Sequence, residues 1–144
     1  MEPRVEWDES RWPVVRCRIE GEHHRDMAGE VLDPLARLLQ GRRPFALLWD
    51  LRELSPPGPW AVRALGELRR RHARALGTIL RAEAHVVSNR ALLGMVAMIS
   101  WFQRAPMPER SFLDPAAAER WLTARIDADA TLASIAHGAA ESWT

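Results

Sequence analysis

The chain contains no lysine and no tyrosine; all 20 of its basic residues are arginine. That removes a phosphate-gripping Walker lysine, a Schiff-base lysine and a tyrosine proton donor from consideration. Neither glycine-rich phosphate-binding fingerprint is present. The single cysteine, Cys17, allows no internal disulfide and fits a reducing cytoplasm. The opening stretch, MEPRVEWDES, is charged and lacks an apolar signal-peptide core, which also reads as a cytoplasmic chain. No serine–histidine–acid or paired-carboxylate spacing argues for catalysis, so neither catalytic residues nor a cofactor are expected. The apolar stretch 91–102 is too short for a bilayer span, which needs about 20 residues. Abundant Ala, Pro and Trp beside an all-arginine basic set point to a GC-rich bacterial genome.

What is present is the composition of a globular domain. The 144 residues are 47% hydrophobic with a formal net charge of +1, enough for one well-buried core. There is no internal repeat and no linker. The expected organisation is a domain over 1–126 and a C-terminal tail over 127–144, with or without a short helix.

Val5–Trp7 and Val14–Ile19 read as two strands joined by a turn. In the second, Val15, Cys17 and Ile19 alternate with Arg16 and Arg18, the period of a half-buried strand, so Cys17 is a small core residue. An amphipathic segment follows, with Met27, Val31, Leu32, Leu35, Leu38 and Leu39 on one face. Pro34 either kinks this helix or starts its second part, and Gly41 closes it. Phe45–Leu51 is apolar on both faces, the mark of a central strand, with Leu47 and Leu48 buried on opposite sides. After a proline-rich loop, Ala61, Leu65, Leu68, His72 and Leu76 recur at helical spacing. Ala84–Val87 is another inner strand, and Ser88 or Asn89 caps the next helix. Arg110–Leu113 is a last short strand. Asp114-Pro115 then starts a helix that ends near Ile126. The order predicts a mixed, mostly parallel α/β sheet of about five strands, flanked by helices on both faces.

Three stretches, LLWDLREL (47–54), EAHVVSN (83–89) and ERSFLDPAAAERWL (109–122), carry a resemblance to the SpoIIAA-like branch of the STAS superfamily. It spans roughly residues 5–126. The resemblance implies the fold of anti-sigma-factor antagonists and a regulatory protein partner. Some members are likened to lipid-binding domains of similar topology. In the better-known antagonists the loop after this central strand carries a phosphorylated serine in an Asp-Ser-Ser-Gly setting. Here the loop reads Leu-Ser-Pro-Pro-Gly-Pro-Trp, residues 54–60. Its prolines stiffen it and remove N–H donors, so Ser55 is not expected to be a phosphoacceptor of that type.

Asp50, Arg52, Ser55, Trp60, Ser88 and Asn89 all fall at the carboxyl edge of a parallel sheet, where open sheets place ligand sites. They read either as a polar mouth or as caps, turn acceptors and packing residues. His23-His24 and Cys17 do not reach the three or four convergent ligands of a zinc site, so no metal is expected. His85 reads as a satisfied core histidine and His72 as a packing residue. The run Arg69–Arg74 reads as a solvated helix face; the weak net charge and the lack of interleaved aromatics argue against nucleic acid. The 91–102 helix is apolar nearly all round and needs more cover than a sheet provides. The cover is residues 131–136, a second chain or a ligand, with Met95, Met98, Trp101 and Phe102 as the candidate interface. The primary expectation is a non-catalytic regulatory or scaffold domain acting through a protein partner and associating through 91–102. The alternative is a carrier or sensor of a small apolar ligand held between the sheet and that helix.

Overall fold

The computed structural model describes residues 2–56, 58–102 and 105–142, except the side chains of 98–102, 131–134 and 136–142. The elements are β1 (Arg4–Asp8), β2 (Val14–Glu20), α1 (Ala28–Gln40), β3 (Phe45–Asp50), α2 (Pro59–Arg71), β4 (Leu80–Val86), α3 (Arg90–Phe102), β5 (Glu109–Phe112) and α4 (Pro115–Ser142). The strands form one sheet in the order β1-β2-β3-β4-β5. β1 is antiparallel to β2, and the other pairs are parallel.

Each parallel strand is followed by its neighbour, so right-handed crossovers send successive helices to the same side. Val31, Leu35 and Leu39 of α1 and Leu68 of α2 pack on Val15, Cys17, Leu47 and Trp49. The opposite face is covered by α4, whose Ala118 and Leu122 pack on Ala46, Leu48, Ala82, Ala84 and Val86. The small alanines of β3 and β4 let α4 approach closely. β3 is buried along its whole length, with Leu47 and Leu48 on opposite faces as its two-sided apolarity predicts. Burial pushes the Cys17 thiol up, which suits an inert core residue.

α1 continues through Pro34. A proline there leaves the carbonyl four residues back without its helical donor. That carbonyl, on Glu30, accepts a hydrogen bond from Trp7 Nε1 at 3.0 Å, so β1 supplies what the helix cannot. Pro59 sits at the first position of α2, where its fixed φ is favourable and its missing N–H costs nothing. Asn89 Oδ1 accepts the Leu92 N–H and Asp114 Oδ1 accepts the Ala116 N–H, capping α3 and α4.

Some boundaries differ from the sequence reading. β4 starts at Leu80 rather than Ala84, and β5 covers Glu109–Phe112 rather than Arg110–Leu113. The helix expected to stop near Ile126 runs on to Ser142. In β4 the register shifts around Arg81, whose Nε donates to Asp129 of α4 at 3.1 Å.

Candidate functional site

A cavity of about 160 Å³ lies between the sheet and helices α1, α2 and α3. Ile19, Val31, Trp49, Leu65, Val87 and Val96 are among its walls. Ala28, Ala61 and Ala64 also line it, so the helices present methyl groups where larger side chains would fill the space. Its end at the carboxyl edge of the sheet is marked by His23, Pro56 and Trp60, with Pro56 exposed. The rings of His23 and Trp60 lie against each other, tilted by 37°, with centroids 5.5 Å apart.

One wall of this apolar space is polar. Arg69 of α2 donates from Nη2 to Glu83 at 2.6 Å and from Nη1 to Glu109 at 2.9 Å. Trp49 Nε1 donates to the other oxygen of Glu83. His85 stands beside them, with Nε2 at 3.8 Å from Glu83 Oε1. Glu83 is 1% exposed, Arg69 8% and His85 9%. Burial works against the charge on Arg69, but the two carboxylates outweigh it and raise its affinity for the proton. Burial, with Glu83 close by, pushes the Glu109 carboxyl up, and Arg69 opposes this. Burial pulls the His85 imidazole down to about 4, so it is neutral at pH 7. The cluster thus joins one guanidinium to two carboxylates and a neutral imidazole.

The residues expected at the mouth separate across the sheet. Asp50, at the end of β3, lies on the α4 side and binds Arg52 through two hydrogen bonds of 2.9 Å and Arg16 through one of 2.5 Å. Its burial raises the carboxyl, but the two guanidiniums outweigh that and hold it well below the usual carboxylate range. Trp60 belongs to the cavity on the other face. Ser55 is exposed, and its N–H donates to the Gly21 carbonyl at 3.1 Å. Ser88 is exposed and Asn89 is the α3 cap. Of the expected interface residues, Met95 lines the cavity. The side chains of Met98, Trp101 and Phe102 lie outside the described residues, as do those of 131–134 and 136.

No family model matches the sequence, and no curated protein matches it. Solved structures do match. A DUF3478-family protein with a SpoIIAA-like fold from Shewanella loihica superposes with a TM-score of 0.64 at 19% identity, covering 83% of this chain and 93% of that one. The chain has a SpoIIAA-like fold. An anti-sigma factor antagonist from Mycobacterium paratuberculosis has the same architecture, with a TM-score of 0.60 at 12% identity over 85% of this chain and 95% of that one.

Within this SpoIIAA-like fold, two sequence readings need correction. Arg69 is not on a solvated face: it is buried between α2 and the sheet, while Arg70, Arg71 and Arg74 are exposed. His85 is buried, and its Nδ1 has no hydrogen-bond partner among the described residues. The Arg69–Glu83–Glu109 cluster is absent from the sequence reading. Its signal is there: Arg69 follows Leu65 by one helical turn on the apolar stripe, and Glu83 sits in an inner strand, where a carboxylate needs a partner.

Proposed function

We propose that the chain is a non-catalytic regulatory domain that binds a small apolar molecule in the cavity between the sheet and α1, α2 and α3. The observation that carries this is the cavity itself, about 160 Å³ with almost entirely apolar walls. A dry cavity of about 150 Å³ is enough to bind benzene. The ligand is therefore of roughly that size, well below the volume of a drug-sized site, about 300 Å³ or more. For so few atoms the dissociation constant is on the order of 0.1 mM. Calorimetric titration of the full chain with p-xylene should give saturable binding. Ala64→Phe, which places a ring in the cavity, should abolish it while circular dichroism shows a folded chain. Absence of saturable binding by the wild-type protein would refute the reading.

A second reading is a regulatory domain acting through a protein partner, supported by the fold shared with an anti-sigma factor antagonist. Association of two copies through the 91–102 helix belongs to this reading. Sedimentation of the wild type and of Met98→Asp tests it: a chain that stays monomeric at high micromolar concentration would remove that interface.

A further inference from the structure

The turns that feed β3 and β4 lie together at the amino edge of the sheet, the end opposite the cavity mouth. Residues 41–44 lead from α1 into β3 and residues 72–79 lead from α2 into β4, and these two strands are neighbours. From Arg37 to Pro44, and from Leu68 to Ile79, there is no aspartate or glutamate. Both stretches carry exposed arginines: Arg37, Arg42 and Arg43 in the first, Arg70, Arg71 and Arg74 in the second. Among the described residues only Arg71 of this group pairs with a carboxylate, Glu67 at 3.8 Å. The formal net charge of the whole chain is +1, so the excess is local. Its counterweight includes Glu20, Glu22, Asp26, Glu30 and Asp33, from the other end of β2 into α1. The turn between β1 and β2 bounds the patch on one flank: it holds Glu9, and its Arg11 is matched to Glu119 at 2.6 Å.

Arginine pairs with carboxylates and phosphates alike, so charge by itself fits an acidic protein or a nucleic acid. The apolar surface at the same edge decides. Trp12, just before β2, packs on Phe45 of β3 with ring centroids 6.0 Å apart, and the Phe45 N–H donates to the Ile79 carbonyl at 2.8 Å. Trp12 and Ile79 are only half-buried, and Pro44, next to Phe45, is exposed. The Arg43 guanidinium lies over the Trp12 ring, 4.2 Å from its centre, which orders that side chain before any partner arrives. Tryptophan and arginine are the anchors on which protein interfaces most often depend. A phosphate backbone gains nothing from an apolar strip, whereas a protein segment with carboxylates and aliphatic side chains uses both parts.

Resting on the protein-partner reading above and naming its surface, we propose that the amino edge of the sheet docks an acidic segment of a partner protein that also carries aliphatic side chains. Its carboxylates are taken by Arg42, Arg43, Arg70 and Arg74, and its aliphatic groups lie against Trp12 and Ile79. None of these residues lines the cavity, so the two sites are separate.

The test is fluorescence anisotropy of the full chain with a labelled peptide of Glu-Glu-Leu repeats, beside a Glu-Glu-Ser peptide of equal length and charge. The leucine peptide should bind saturably, and about tenfold more tightly than the serine peptide. Arg43→Glu with Arg74→Glu should weaken it about tenfold or more, because each reversal sets like charges together. Arg25→Glu with Arg63→Glu changes the net charge equally, from exposed positions outside the patch, and should leave the affinity within about twofold. Should either variant fail to fold, NMR of the wild type answers the same question. Titration with the leucine peptide should move the Trp12 indole signal and the amides of 42–45 and 73–79, and leave those of 20–33 in place. Equal weakening by the two double variants, equal affinity for the two peptides, or shifts confined to 20–33 would overturn the proposal. Tighter binding of polyuridylate than of the leucine peptide overturns it in favour of a nucleic acid. If neither peptide binds, the proposal falls, and sedimentation of Met98→Asp still decides the protein-partner reading on its own.

Discussion

Two buried carboxylate clusters lie on opposite faces of the same sheet, and they are built with opposite surpluses. At the carboxyl edge, one buried carboxylate, Asp50, is shared by two guanidiniums, and Arg16 and Arg52 keep 40% and 34% of their side chains exposed. Under α2, one guanidinium, Arg69, is shared by two carboxylates, and all three are nearly closed off, with side chains 10% or 11% exposed or less. The first has redundant partners in contact with water. The second hangs, among the described residues, on a single cation with little solvent to replace it. Redundancy and water access decide which one is fragile, and the fragile one forms the wall of the cavity.

The comparison is tested most severely by removing Arg69. Arg69→Met keeps much of the apolar stem but leaves Glu83 and Glu109 buried together without their cation. Breaking a buried pair by deleting one partner typically costs about 3–5 kcal/mol. Urea unfolding should show a loss in that range unless one carboxylate takes up a proton, in which case the deficit shrinks as the pH is lowered toward about 5. A loss below about 1 kcal/mol at pH 7 would mean that the cluster is far wetter than the structure places it.

Acidification gives the next largest contrast. Burial holds the folded-state His85 down to about 4, with Arg69 pushing the same way and Glu109 opposing, whereas an ordinary imidazole titrates near 6.5. Between these values the unfolded chain binds a proton that the native chain refuses. The stability His85 contributes is therefore full above about pH 6.5 and is lost as the pH falls toward 4. Glu109, whose carboxyl is raised, works in the opposite direction and softens the slope. His85 by itself accounts for a loss of about 3 kcal/mol across that window, and Glu109 reduces it. Asp50 is depressed instead, so its contribution persists through the window and fades only below the ordinary carboxylate range. Unfolding midpoints of His85→Phe should be flatter than wild type between pH 6.5 and about 4. An unchanged slope would assign the pH dependence elsewhere.

How far the sequence reveals each cluster follows from the same physics. The fold is legible because periodicity reports burial: β3 reads apolar on both faces, and the alternation in β2 marks its inner side at Val15, Cys17 and Ile19. Asn89 and Asp114 are legible as caps because capping is a local interaction. The edge cluster is half legible: Asp50 and Arg52 are two residues apart, while Arg16 arrives from the neighbouring strand. The inner cluster draws on α2, β4 and β5, with partners 14 and 40 positions apart, and only the folded chain brings them together. An arginine inside a run of arginines looks solvated until the helix is docked. The contact of α4 with Arg81 is hidden for a similar reason, since its partner Asp129 lies 48 positions away.

The smallest expected effect sharpens the comparison from the other side. Arg16→Ala removes one of three side-chain hydrogen bonds to Asp50, and the two from Arg52 remain in place. The lost guanidinium is substantially exposed, and pairs of that kind contribute about 0.2–1 kcal/mol. The carboxylate that stays behind is still paired, so no buried charge is orphaned. Urea unfolding of Arg16→Ala should show a midpoint shift within that range and an unchanged dependence on denaturant. Removing Arg16 and Arg52 together should cost more than the sum of the single losses, because only the double variant strands Asp50. A strictly additive double variant would show that Asp50 is solvated well enough to need neither arginine. An Arg16→Ala loss as large as that of Arg69→Met would show that the edge cluster has no redundancy.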